Sequence, residues 1–269
     1  MSGFDLRIVL VGWGAIATRV THLLAKRGAP VRIVAVAVRD ASTLRDGLPK
    51  DAQLISDPAE LADIEADLLI EAAGRASVSP WAQAGLARGW DVAISSTSAL
   101  TDADLLAQLT ETARQNHAQI LIPPGALGGI DALSAASRLG LQTVRHEVVK
   151  PARAWAGTKA ESLCDLATLT ASFTFFTGSA RAAADAYPQN ANVAVISALA
   201  GIGLDHTTVA LTADPMAMLN SHRITATGDF GTLTLTLENR PLATNPKSSE
   251  MTALSLVRMI ENRAGQVVI

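Results

Sequence analysis

Strand, glycine turn, helix and strand follow one another within the first forty residues. Leu6–Val11 is a β-rich run that passes directly into Gly12-Trp13-Gly14-Ala15-Ile16-Ala17. Thr18–Arg27 then carries Val20, Leu23 and Leu24 at helical spacing, and Gly28 stands where a C-cap belongs. Val31–Val38 has the character of a second buried strand. The turn reads Gly12-x-Gly14-x-x-Ala17. Gly12 permits a tight exit from the strand, Gly14 leaves the backbone open to a pyrophosphate, and Ala17 is small enough for the helix to lie close on the sheet. The helix N-terminus adds free N–H groups and the positive end of the helix dipole. Such a pattern is weak in isolation, but after a strand and before a helix it points to a bound dinucleotide. Gly12, Gly14, Ala15, Ile16 and Ala17 are the expected contacts.

The end of the second strand reports which dinucleotide. An acidic residue there would bind the ribose hydroxyls of NAD. The chain has Val38-Arg39-Asp40. Arg39 suits the 2′-phosphate of NADP, and Asp40 suits the ribose if the register shifts by one. The expected cofactor is therefore NAD or NADP, with acceptance of NADP.

The alternation continues with strands at Asp67–Ala73, Asp91–Ser95 and Ala118–Ile122, separated by helical segments at Pro80–Arg88 and Thr101–Asn116. That rhythm predicts an α/β fold whose N-terminal part, residues 1–124, is a doubly wound parallel sheet of Rossmann type. Past Pro123-Pro124-Gly125 the rhythm changes. Helical stretches (Asp131–Leu139, Ala180–Ala186, Asn192–Ala200) mix with strand-like runs at Gln142–Val149, Thr168–Thr177, Thr207–Thr212, Ser221–Thr227 and Gly231–Leu237. Residues 125–245 are expected to form a smaller α+β domain with a mixed or antiparallel sheet that carries catalysis and oligomerisation. Residues 246–269, with an amphipathic helix at Lys247–Arg263, are expected to pack back on the first domain.

Composition narrows the function classes. Apolar residues make up 49% of the 269 and charged ones 17%, which excludes disorder. The net charge is −3 with no basic run, so a nucleic-acid or anionic-membrane partner is disfavoured. Mean hydropathy is +0.26, yet the best apolar run, Ala191–Leu204, is 14 residues long and too short to span a bilayer. Cys164 is the one cysteine. It is read as a small packing residue in a reducing, cytoplasmic setting. So apolar a chain with 4% aromatics is expected to bury surface between copies, as a homodimer. HExxH and paired His/Cys spacings are missing from the sequence, so a metal centre is not expected.

A Rossmann domain does not name a reaction. Polar and glycine-rich segments in the second half do more: Gly125-Ala126-Leu127-Gly128-Gly129-Ile130-Asp131, Phe176 to Ala180, Pro188-Gln189-Asn190-Ala191-Asn192-Val193, Ala213-Asp214-Pro215, Asn220-Ser221-His222-Arg223-Ile224 and Asn245-Pro246-Lys247-Ser248-Ser249. In this order and spacing, together with the glycine turn, they resemble the L-aspartate dehydrogenase family over nearly the whole chain. That family is related in fold to homoserine dehydrogenase and dihydrodipicolinate reductase. The resemblance implies reversible NAD(P)-linked oxidation of L-aspartate to iminoaspartate, which hydrolyses to oxaloacetate and ammonia and can feed NAD synthesis. It implies that His222 is the active-site histidine and that Ala126 and Asn192 contact the nicotinamide cofactor. Two positions depart from the family pattern: Arg39 stands where an acid is common, and Ser248 replaces a threonine.

The chemistry asks for a group titrating near neutrality, and histidine is the natural choice. Of the five histidines, His22, His117, His146 and His206 lie in ordinary helix or strand contexts, whereas His222 sits in a polar cluster with Asn220 and Arg223. A substrate with two carboxylates needs cationic and N–H donors. Lys247, Ser248 and Ser249 are expected to open the last helix and receive an anion there, with Lys150, Asn220 and Arg223 as further candidates. The rival readings are another Rossmann reductase, of homoserine dehydrogenase or dihydrodipicolinate reductase type, and a non-catalytic dinucleotide sensor.

Overall fold

The short apolar strands of the first half align in one parallel sheet. A computed structural model of the chain describes residues 5–43, 45–188 and 191–269, with the side chains of Pro246 and Lys247 outside the description. It divides into two units, Met1–Pro123 with Ala253–Ile269, and Pro124–Thr252.

In the first unit the elements run β1 (Leu6–Val11), α1 (Ala15–Arg27), β2 (Val31–Ala37), β3 (Gln53–Ile55), β4 (Leu68–Glu71), α2 (Arg75–Leu86), β5 (Asp91–Ile94), α3 (Ala103–Gln115) and β6 (Ile120–Leu121). Six strands line up in the order β3-β2-β1-β4-β5-β6, all parallel. This is the doubly wound order, whose ligand crevice lies where the winding reverses, between β1 and β4. β4 is buried along its whole length, as a strand covered on both faces must be. The edge strand β3 has three residues, too few for a hydrophobic pattern to announce it. α2 begins at Arg75 and carries Pro80 in its interior. A proline normally marks a first turn, so the sequence places that helix start five residues late.

The second unit runs α4 (Ile130–Ala136), β7 (Leu141–Pro151), β8 (Phe173–Ser179), α5 (Ala180–Ala186), α6 (Asn192–Ala200), β9 (Thr208–Asp214), β10 (Asn220–Gly228), β11 (Gly231–Asn239), β12 (Pro241–Leu242) and β13 (Asn245–Ser249). Its main sheet has the order β11-β10-β7-β9-β8 and is mixed: β7 and β9 are parallel, the other pairs antiparallel. Alternation sorts the faces. Val144, His146, Val148 and Lys150 of β7 and His222, Ile224 and Ala226 of β10 are buried, while Arg145 and Arg223 between them are exposed. The buried face continues into a core of Val148, Val209 and Leu211 packed with Ala184, Val195 and Ala198 from α5 and α6.

The last helix, α7 (Glu250–Ala264), starts three residues after Lys247. Asn245–Ser249 instead pairs with Pro241–Leu242 as a hairpin, and the Met251 N–H donates to Ser249 Oγ at 3.2 Å. Lys247 and Ser248 therefore do not open the helix, which corrects the expectation of an anion site at its first turn. Ala253, Leu256, Val257 and Ile260 of α7 join Ile8, Leu10 and Val36 in the core of the first unit. No helix among the described residues is long and apolar enough to cross a membrane.

Candidate active site

The turn after β1 is built for a close backbone approach. Gly12 has φ +99°, and a Cβ there would stand 2.9 Å from the Ala72 carbonyl oxygen and from Ala73 Cα. A Cβ on Gly14 would meet nothing within 4 Å, so the space above that residue is open. α1 has Gly14 at its N-cap with no side-chain cap, which leaves the leading N–H groups of Ala15, Ile16 and Ala17 to a ligand. Ala17 itself is buried against the sheet. A cleft of about 330 Å³ opens here, lined by Gly12, Trp13, Gly14, Arg39, Arg45 and Ser77 among others. These features fit a dinucleotide pyrophosphate.

Two acids shape the rim. Glu71, fully buried at the end of β4, accepts from the Ala73 and Gly74 N–H groups at 2.8 Å, from Ser77 Oγ, and from both the N–H and the hydroxyl of Ser96. It thereby fixes the β4–α2 turn that faces Gly12. Asp40 accepts from the Ser42 N–H, Ser42 Oγ and Thr43 Oγ1, and these bonds hold its carboxyl at about 2. Its carboxylate is thus held by its own loop. Arg45 donates to the Asp40 and Thr43 carbonyls, so the same loop brings a second guanidinium beside Arg39 into the cleft wall. The sequence reading did not single out Arg45.

The second polar constellation lies on the buried face of the mixed sheet. In the β7–β10 register His222 faces Val148, and His146 faces Ile224. His146 and Lys150 are therefore the two diagonal neighbours of His222 on one face. His146 Nε2 lies 3.3 Å from His222 Nδ1, and His146 Nδ1 lies 2.9 Å from Ser197 Oγ in α6. Burial pushes the pKa of His146 down to about 3. Burial, then the charges of His146 and Lys150, hold His222 well below the ordinary imidazole range. Lys150 is lowered to about 8 by burial, with its Nζ 5.0 Å from the ring centroid of Trp155. At neutral pH the site thus holds two neutral imidazoles and a poorly hydrated cation, a set able to accept a proton and attract an anion. Reading His146 as an ordinary strand residue is corrected by this pairing.

The remaining candidates are placed as follows. The Ala126 carbonyl accepts from Asn239 Nδ2 at 2.7 Å, and Asn239 is the register partner of Asn220 at the start of β10. The glycine loop bearing Ala126 is thereby tied to the end of β11, opposite the start of the strand that carries His222. Asn192 is the first residue of α6, the helix that also presents Ser197. Ser248 Oγ accepts from Asn245 Nδ2. The Lys247 side chain lies outside the described residues, as do Gln189 and Asn190. Cys164 is half-buried, its Sγ 3.6 Å from the Ala160 carbonyl.

Comparison with known proteins decides the family. The model of the aspartate dehydrogenase C-terminal domain matches residues 131–263, and that of the homoserine dehydrogenase NAD-binding domain matches residues 12–123. The L-aspartate dehydrogenase of Brucella anthropi is 62% identical over 97% of this chain and 98% of its own length. The chain belongs to the L-aspartate dehydrogenase family. The family member of Pseudomonas aeruginosa is 43% identical, over 98% of this chain and 100% of its own. In fold, the crystal structure of aspartate dehydrogenase from Thermotoga maritima agrees with a TM-score of 0.77 at 21% identity, covering 98% of this chain and 99% of that one. Within this aspartate dehydrogenase-family chain, the NAD-binding match spans the glycine turn and Arg39. The C-terminal match spans His146, Lys150, Ser197 and His222.

Proposed function

We propose that the chain catalyses the reversible NAD(P)-dependent oxidation of L-aspartate to iminoaspartate, which hydrolyses to oxaloacetate and ammonia and is suited to feed NAD synthesis. The observation that carries the reading is the buried His222 set on one sheet face with the buried Lys150 in a member of this family. The dinucleotide, on the Gly12–Ala17 turn, supplies the hydride acceptor. His222 takes the proton released by the substrate amine, passes it to solvent, and then takes the proton of the water that adds at the imine carbon. Lys150 binds one substrate carboxylate, an interaction strengthened by the low local dielectric. Asn220, Lys247, Ser248 and Ser249 are the candidates for the second carboxylate. Fixing both carboxylates orients Cα, an effect worth up to ~7–11 kcal/mol of barrier at the extreme.

Arg39 and Arg45 on the cleft wall, with Asp40 engaged in its own loop, support a preference for NADP over NAD. An apolar share of 49% with only 4% aromatics supports a homodimer. A single cysteine suits a cytoplasmic setting. The deciding experiment is reductive amination of oxaloacetate with NADH and NADPH side by side, followed by nicotinamide absorbance. Faster turnover with NADPH supports the reading. Tight NADPH binding without turnover would make the chain a dinucleotide sensor instead.

A further inference from the structure

We propose that His146 and Ser197 are positioning residues that lock His222 in the tautomer protonated on Nδ1, leaving the Nε2 lone pair for the reacting proton. The inference rests on His222 as the base of the proposed reaction. Its direction follows from counting protons along one line of bonds. Ser197 has a single hydroxyl proton, and its Oγ donates to the Ala194 carbonyl at 3.0 Å, one turn back in α6. With that proton committed, Ser197 Oγ accepts from His146 Nδ1 at 2.9 Å. A neutral imidazole has one N–H, so Nε2 of His146 is bare. That nitrogen accepts across 3.3 Å, and the proton between the rings belongs to Nδ1 of His222.

A second observation points the same way. Along β7 the two diagonal neighbours of His222 are His146 and Lys150, two residues to either side of Val148. Nδ1 is engaged by His146, and Lys150 holds the other diagonal position on the same buried face, its charge acting on the ring. A cation beside the ring disfavours a second proton on it, so with Nδ1–H in place Nε2 stays bare. Complete burial of His146 keeps its ring neutral, so it does not take a second proton that would erase the distinction between tautomers. An orienting carboxylate in the place of His146 would raise the basicity of His222. A neutral imidazole–hydroxyl pair orients it without burying a charge.

The test uses the full chain with ¹⁵N-labelled histidine. Two-bond proton–nitrogen correlations are expected to show protonated Nδ1 and bare Nε2 on both His146 and His222. Ser197→Ala removes the acceptor for His146 Nδ1. The ring then reverts to its Nε2–H form, donates to His222 Nδ1 and forces the wrong tautomer on His222. The expected result is loss of kcat in oxaloacetate amination by about 10²-fold, with KM and NADPH affinity held, and exchanged tautomers in the spectrum. His146→Leu is expected to lower kcat as well, and adding Ser197→Ala to it should cost nothing further, because Ser197 acts only through His146. A proton on His222 Nε2 in the unsubstituted chain, parental kcat in Ser197→Ala, or an added loss in the double variant would each overturn the proposal. If His222→Ala keeps its turnover, the base assignment fails separately, and the spectrum still judges the tautomer lock.

Discussion

Replacing Lys150 with methionine should make the protein more stable at neutral pH and less able to bind its substrate. Met keeps the length and apolar contact of the lysine stem beside Trp155 and removes the buried charge. The cost of that charge can be worked from the titration. A lysine in the unfolded chain titrates near 10.5, and Lys150 in the fold near 8, because burial disfavours its ammonium form. At ~1.36 kcal/mol per unit of difference, the charged side chain destabilises the fold by about 3 kcal/mol below its folded pKa. Between pH 8 and 10.5 the unfolded chain binds more protons than the folded one, so parental stability rises with pH across that window and the penalty is gone above it. Lys150→Met has no such titration. Urea unfolding should find the variant up to about 3 kcal/mol more stable at neutral pH, with the two curves converging above the window. In amination assays its KM for oxaloacetate should rise. A variant no more stable than the parent at neutral pH would refute the argument. So would an advantage that persists unchanged above pH 10.5, since it would then come from packing.

Other expectations are as direct. His222→Ala should lower kcat by roughly 10²–10⁴ while NADPH affinity, read by fluorescence titration, stays unchanged; wild-type turnover would remove His222 from the reaction. Arg39→Asp should shift the kcat/KM ratio from NADPH toward NADH, and Arg45→Ala should weaken NADPH more than NADH; unchanged ratios would show that neither guanidinium reads a 2′-phosphate. Gly12→Ala forces a Cβ to 2.9 Å from the Ala72 backbone at φ +99°. A non-glycine residue in such a conformation costs about 1–2 kcal/mol before any clash, so urea unfolding should find the variant less stable by at least that amount, and unaltered stability would show that the turn has room to spare.

The first βαβ unit was legible because its signals are local. A strand, two glycines, Ala17 and an amphipathic helix carry their geometry within a window of thirty residues, and the resulting sheet has the doubly wound order. α5 and α6 begin and end where the sequence places them. Local reading failed where a neighbour in space set the outcome. The last helix starts at Glu250, and not at Lys247, because the preceding residues find a hairpin partner at Pro241 and Leu242.

By itself, the sequence determined the parallel sheet, its dinucleotide turn and the presence of a histidine suited to proton transfer, since each is encoded by residues close together in the chain. Only the tertiary structure decided which groups act with that histidine. His146 and His222 are 76 residues apart, and they meet because the register of two antiparallel strands sets them on one buried diagonal with Lys150. A shift of one residue would have turned the site to the opposite face of the sheet.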